Sequence, residues 1–555
     1  MKKKYYFIVI NLVIGFWFNS IIAQEGPKII EILQAGGSTQ DQQKFPGANI
    51  LVKKDNIRVH LLHEGALIKS NISYFYPKQN FFKANGNVIF TQGDTLKITC
   101  DYIEYDGTKK LAIAWGKVLL ERTDMNLKTD TLYLDRLKSK AYYNTFGTIL
   151  DEQTKLTSNR GIYFMDLKKY RFISDVKIND PEYQIKSQQL DYFTESDKAL
   201  FYGKTSIIGD EYDIYCEKGS YDTKLQKGSF QKNAIIFYNN KEIRGDSLYF
   251  ENERNYAAAT NNISIIDTLN KSVINGHYGE IFKSRDSAII TRRAMAINIV
   301  DKDSLFIHAD TLIATGPQEK RILRGYYDVR IFKSDIRGKS DSLHLNQSSG
   351  LIKMLKLPLS RKENQIFTDS QKNARNPILW FGKSQMSGNK IFLTSNMKNQ
   401  KLDSLKIIGN SWIIEKDSLS ETGFNQIKGG LLDGLFEDGE LVEIDITKNT
   451  EVIYYMYSDE ENELIGIDKT TCSSLKMITK GNKIEDITFF VSPEGQLLPE
   501  KDLPINERKL KGFYWREYER PKNISDLFSE EDKQYQIKAI ENVKTPEAFI
   551  RNSVD

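Results

Sequence analysis

Apolar positions recur along the chain in three columns once it is aligned on the Asp of "CDYIEYD" (100–106). With Asp101 as position k, similar starts fall at Asn71, Asp130, Arg160, Gln188, Glu217, Asp246, His277, Asp310 and Asp341, with a looser copy at Asn389. Starts are 28 to 33 residues apart except for the last interval of 48, and a fixed period in this range marks an array of supersecondary units. Position k+2 carries Ile103, Leu132, Ile162, Leu190, Leu248 and Leu312. Position k+4 carries Tyr105, Leu134, Phe164, Tyr192, Phe250 and Leu345, and k−3 carries Ile98, Leu127, Ile185, Ile214, Ile243 and Ile274. Positions k+2 and k+4 share the parity of one strand face, whereas k−3 has the other parity. If all three face one interior, the pleat slips by one residue near k, as at a bulge or corner.

The frame Ala-x-Gly-x-Val, "ANGNV" at 84–88 and "AWGKV" at 114–118, occupies k+13 to k+17 of two successive units. It reads as one strand of a stacked repeat. Clusters such as "DGTKK" after Tyr105 and "DRLKSK" after Leu134 are hairpin turns, and their lysines are solvated turn residues. The Asp residues at k read as turn-capping groups. The pattern predicts an all-β chain: a long array of ~30-residue units, two strands each, followed by a short C-terminal helix. That helix is expected over "SEEDKQYQIKAIENV" (529–543), with Ser529 as N-cap and Tyr535, Ile537 and Ile540 packing on the same chain.

Composition narrows the function. The chain has 555 residues, 58 of them Tyr or Phe, and a net charge of +4. Residues 1–23 read as a cleavable export signal, with Lys2, Lys3 and Lys4 before the apolar run Tyr5–Phe18 and Ala23 at the cleavage point. Losing those lysines leaves about +1, which argues against a nucleic-acid binder. Cys100 and Cys216 both stand at k−1, four units and more than ~19 Å apart, and should not pair. His60 and His63 are the only close histidine pair and are expected to be ordinary strand residues, so no metal or cofactor is expected. No catalytic motif occurs, and no enzymatic activity is expected.

Small residues on one strand face opposite the large ones at k+2 and k+4 fit either a fully packed sandwich or a dry groove. A lipid chain would fill such a groove at ~0.8 kcal/mol per buried CH₂. The residues alone leave both open. The run from about Ile68 to Ile290, with "YFYPKQNFFKANGNVIFTQGDTLKITCDYIEYDGTKKLAIAWGKV" (74–118) and "CEKGSYDT" (216–223), resembles the OstA-like (LptA) family of Gram-negative bacteria, and the length is closer to its long Bacteroidetes-type members.

The resemblance implies a jelly-roll-like, V-shaped pair of sheets whose interior holds the acyl chains of lipopolysaccharide in the periplasm. It further implies partners among the inner- and outer-membrane components of lipopolysaccharide transport, and end-to-end self-association. Ile98, Ile103, Tyr105, Leu127, Leu132, Leu134, Ile162 and Phe164 are then the candidate acyl contacts. The expected organisation is a signal at 1–23, a lead-in at 24–67, family-like repeats at 68–290, looser repeats at 291–427, a β region at 428–521 and a helical tail at 522–555. The rival reading is a structural or adhesive array that binds proteins or glycans.

Overall fold

A computed structural model describes residues 28–535, apart from 95, 123–125, 152, 211, 239, 270, 299–303, 318–319, 397–400, 459–462 and 482. The signal segment and the end of the tail, with Ile537 and Ile540, lie outside the described residues. The chain forms two compact units, divided between Leu167 and Lys168. Each is an antiparallel ladder in which the long strands pair with their sequence neighbours and short strands pair two or three places on, as Glu31–Gln34 does with Val59–His63 and Lys140–Tyr143 with Arg160–Phe164.

In the first unit the strands Phe81–Gln92, Leu96–Asp106, Leu111–Glu121 and Asn126–Asp135 carry the family of columns. Every one of them bends in the middle. Along Leu96–Asp106 the buried residues are Ile98 and Cys100, then Ile103 and Tyr105, so the inward parity changes across Asp101. The slip expected at k is present. Its cause lies on the neighbouring strands, where the register steps between Asn85 and Val88 and leaves Gly86 and Asn87 opposite Asp101. Both have positive φ, +79° and +48°. The same left-handed pair recurs as Gly116/Lys117, Ser174/Asp175, Lys232/Asn233, Asn261/Asn262, Arg292/Arg293 and Gly409/Asn410. The repeated Gly of the sequence frame is thus a two-residue bulge that turns the strand through a corner.

Position k is the partner of that bulge. The N–H groups of Asn71, His277 and Asn389 donate to the carbonyls of Gly86, Arg292 and Gly409. The expectation that the Asp residues at k cap hairpin turns is corrected: capping falls to k+5, where Asp106 and Asp135 accept from the N–H groups of Lys109 and Lys138. A Cβ added to Gly116 would lie 2.9 Å from Asp101 Cβ, whereas one on Gly65, at nearly the same φ of +79°, meets nothing within 4 Å. Gly65→Ala should therefore cost about 1–2 kcal/mol from the left-handed backbone alone. Gly116→Ala should cost more, read as the difference in urea midpoint between the two variants.

The repeat starting at Arg160 is aligned one residue late. Gly161 and Tyr163 are buried, while Ile162 and Phe164 are half-buried on the opposite face, Ile162 pairing with Tyr142. A one-residue slip exchanges the two faces of a strand. Taking k at Asn159 restores the rule.

The second unit continues the pattern from Lys169–Asn179 through Ser272–Phe282. Later strands reach 18 residues in Glu440–Tyr457. Two capped helices, Arg361–Ile366 and Asp369–Ala374, fill the 48-residue interval between starts. Strands end at Leu498, short of 521, and residues 499–535 form 3₁₀ turns and one short helix, Glu530–Lys533, capped by Ser529 as expected.

This last segment runs back along the second unit. The amide of Gln426 donates to Arg508 O (2.8 Å) and accepts from Leu510 N–H (2.9 Å). Gln385 does the same with Tyr514 O and Arg516 N–H. Further along, Arg293 N–H donates to Asp532, and Tyr535 lies against His277. The sheet face beneath is apolar, with Trp412, Ile414, Ile453, Tyr455 and Ile467 buried under Leu503 and Leu510.

Candidate functional site

Because each long strand turns a corner, its two halves belong to two different walls, and the walls share an interior. In the second unit one cavity is lined by Ile265, Ile274 and Ile307 from the wall before k, and by Ala314, Leu323 and Leu345 from the wall after it. A neighbouring cavity is lined by Ile236, Ile243 and Ile265 on one side and by Leu248, Ile281 and Ile290 on the other. Facing walls of this kind are what the three-column pattern implies if all three columns face one interior. The cavities are narrow, about 50 and 20 Å³. That is one or two water volumes at most. A hollow of about 660 Å³ in the first unit, by contrast, is edged by Lys117, Lys128 and Asp130 and does not continue the apolar interior.

Six of the eight candidate contacts, Ile98, Ile103, Tyr105, Leu127, Leu132 and Leu134, are at most 5% exposed. Ile162 and Phe164 are not among them, for the register reason given above.

The family whose profile matches the chain is that of OstA-like proteins, over residues 28–188. Over that span the chain is similar to the OstA-like proteins. A solved structure of LptH from Pseudomonas aeruginosa, described as the LptA homologous periplasmic component of the conserved lipopolysaccharide transport device, also matches. It is 16% identical and covers 23% of this chain and 76% of its own, with a TM-score of 0.13, too low to support a functional statement. No curated protein sequence matches.

In the OstA-like segment the free edges of the two walls are joined by side chains. Tyr105 is fully buried, its ring 5.5 Å from Phe82, and its phenol sits at the edge. Arg136 Nη1 donates to the phenol oxygen (2.7 Å), and the phenol lies 2.7 Å from His63 Nδ1. His63 Nε2 lies 2.9 Å from Lys28 O, so the ring donates there and accepts from the phenol. Burial pushes the Tyr105 phenol up, against the pull of Arg136. Lys110 pairs with Glu64 at 2.7 Å on the same edge. In the second unit Arg321 reaches Asp267 at 3.4 Å, and the Tyr212 ring lies 5.3 Å from that of Phe250. Nothing in the spacing of these residues marks them, since the partners are 31 to 73 positions apart in the first unit.

The cysteines Cys100, Cys216 and Cys472 are free and buried, and burial pushes the thiols of Cys100 and Cys216 up to about 12. They are unreactive core residues at neutral pH. His60 is half-buried and His63 belongs to the edge network, as strand residues. Among the described residues His308, Asp310 and Asp328 lie close enough to share a cation. Asp328 is already held by a forked bond from Arg330, 2.7 and 3.1 Å, and His308 contacts Asp532 at 3.3 Å. This cluster is part of how the returning C-terminal segment docks.

Proposed function

We propose that the chain is a non-enzymatic lipid-binding protein of the cell envelope, one that carries lipopolysaccharide through the periplasm toward the outer membrane. The observation that carries this reading is the shared apolar interior between two walls, joined at their free edges, among the described residues, by contacts that each involve a side chain. Backbone hydrogen bonds close the corner, whereas the edge is held by contacts such as Arg136–Tyr105 and Arg321–Asp267, which can part without breaking a ladder. An acyl chain entering there gains ~0.8 kcal/mol per CH₂. The OstA-like match over 28–188 supports the same cargo, and membrane components of lipopolysaccharide transport are the corresponding partners. Placement in the periplasm rests on the export signal read in residues 1–23.

The small cavity volumes favour a second reading, a closed structural array. The two are separated by a photo-crosslinking residue at Ile103 or Leu132, both buried, with the exposed Lys109 as control, in cells that make lipopolysaccharide. The expected result is lipopolysaccharide adducts at the interior positions alone. Adducts at none of the three, in a folded and exported protein, would leave the structural array.

A further inference from the structure

The free edge of the second unit carries a charge arrangement that an apolar interior alone does not explain. Lys241, Asp267 and Arg321 stand at the rim of the cavity lined by Ile274, Ile307 and Leu323. Arg321 and Asp267 are largely buried, 19% and 6% exposed at the side chain, and pair across the two walls. Burial and the charge of Arg321 push the Lys241 ammonium down, while Asp267 and Asp286 act the other way. Among the described residues that line the cavity, Lys241 and Arg321 are the cations and Asp267 the carboxylate. The first unit repeats the arrangement independently: Lys110 and Arg136 stand at its edge with Glu64, and Glu64 is taken by Lys110. Among the described residues Arg136 donates there to neutral acceptors, Gln92 Oε1, Tyr105 Oη and the carbonyls of His63 and Glu64, and its charge also acts on the Glu64 carboxylate.

We propose that Lys241 and Arg321 form a docking point for the phosphate of an amphipathic lipid, with its alkyl chain inserted between the walls behind them. This rests on the lipid-carrier reading and locates the headgroup within it. A phosphate supplies oxygens in the geometry a guanidinium fork takes in pairs, and a compact ammonium beside it completes the site. On docking it replaces the Asp267 carboxylate at Arg321 and neutralises the second cation at the rim. A neutral sugar headgroup would leave Lys241 as it is. The cavity of about 50 Å³ admits the chain only as the walls part, and releasing Asp267 from Arg321 removes a contact that holds them together.

The test uses the full exported chain and calorimetric binding of dodecyl phosphate and dodecyl maltoside below their micelle concentrations. Lys241→Gln/Arg321→Gln should weaken dodecyl phosphate at least about tenfold, the loss of a charge-assisted pair, and leave dodecyl maltoside within about twofold. Lys241→Arg should retain phosphate binding, and it keeps the test valid if the double variant does not fold. Equal losses for both ligands, or no loss for either, would overturn the docking point while the carrier reading stands. Wild-type protein that binds neither alkyl ligand would overturn the carrier reading itself. Inorganic phosphate that competes as strongly as dodecyl phosphate would show a site for the free ion and overturn the lipid assignment.

Discussion

Arg516→Ala is expected to release the C-terminal segment from the second unit, at a cost of about 3–5 kcal/mol. Arg516 is 4% exposed. It holds Glu519 through two bonds of 2.7 and 3.0 Å and donates to Asn376 O at 2.9 Å. Lys339 reaches the same carboxylate at 2.8 Å. Removing the guanidinium takes two charge-assisted bonds from the Glu519 carboxylate and one from Asn376 O, the costly way to break a buried pair. The readout is cleavage by a protease between 499 and 535, together with amide exchange at 508–520, while the strands before 280 keep their protection. Unchanged exchange there would mean that Gln385 and Gln426 suffice to hold the segment.

Acid should do the same. Burial raises the Glu519 carboxyl, but Arg516 and Lys339 outweigh it and hold the group at about 2. Asp532, against the cost of its own burial, is kept well below the usual carboxylate range by His308 and Ser529. A depressed folded value contributes stability above the ordinary carboxylate range, near ~4. That contribution is lost as pH falls from there through the folded value. The segment should therefore loosen below about pH 4, seen by the same exchange experiment.

Phe82→Ala is expected to destabilise the first unit by about 3–5 kcal/mol. Phe82 is fully buried against Tyr105 and pairs directly with it across the strands. Its removal empties a ring-sized volume beside the edge network. If the interior is a place for alkyl chains, added dodecyl maltoside should restore part of that loss, by RT ln(1 + [L]/Kd). The melting temperature would then rise with ligand more steeply in the variant than in the wild type. A variant that gains nothing from ligand would mark the first unit as a sealed core.

Much of this architecture was legible in the chain. Ile98, Ile103 and Tyr105 repeat at fixed offsets with a parity change between them, and if all of them face one interior the strand must slip by one residue, at a bulge or corner, near every Asp101-like position. This follows because inward and outward residues alternate strictly in a strand, so the pattern records which face each wall buries. The corner's chemistry was only half legible. Gly86 and Gly116 announce a left-handed bulge, but the same conformation is filled elsewhere by Ser174, Lys232, Asn261 and Arg292, which carry no such mark. The reading failed by one residue at Arg160, because Ile162 and Phe164 are as apolar as Gly161 and Tyr163 are buried.

What only the tertiary structure decided are the contacts between segments far apart in sequence. His63, Tyr105 and Arg136 meet because two walls converge at their free edge, and Asp267 meets Arg321 for the same reason. Gln385 and Gln426 bind a segment 82 to 131 residues further on through its backbone, which has no side-chain signature at all. Local periodicity reports the burial of each residue within its own strand. It carries no information on which turn, edge or returning segment will stand opposite, because that depends on how many units are stacked and where the chain folds back.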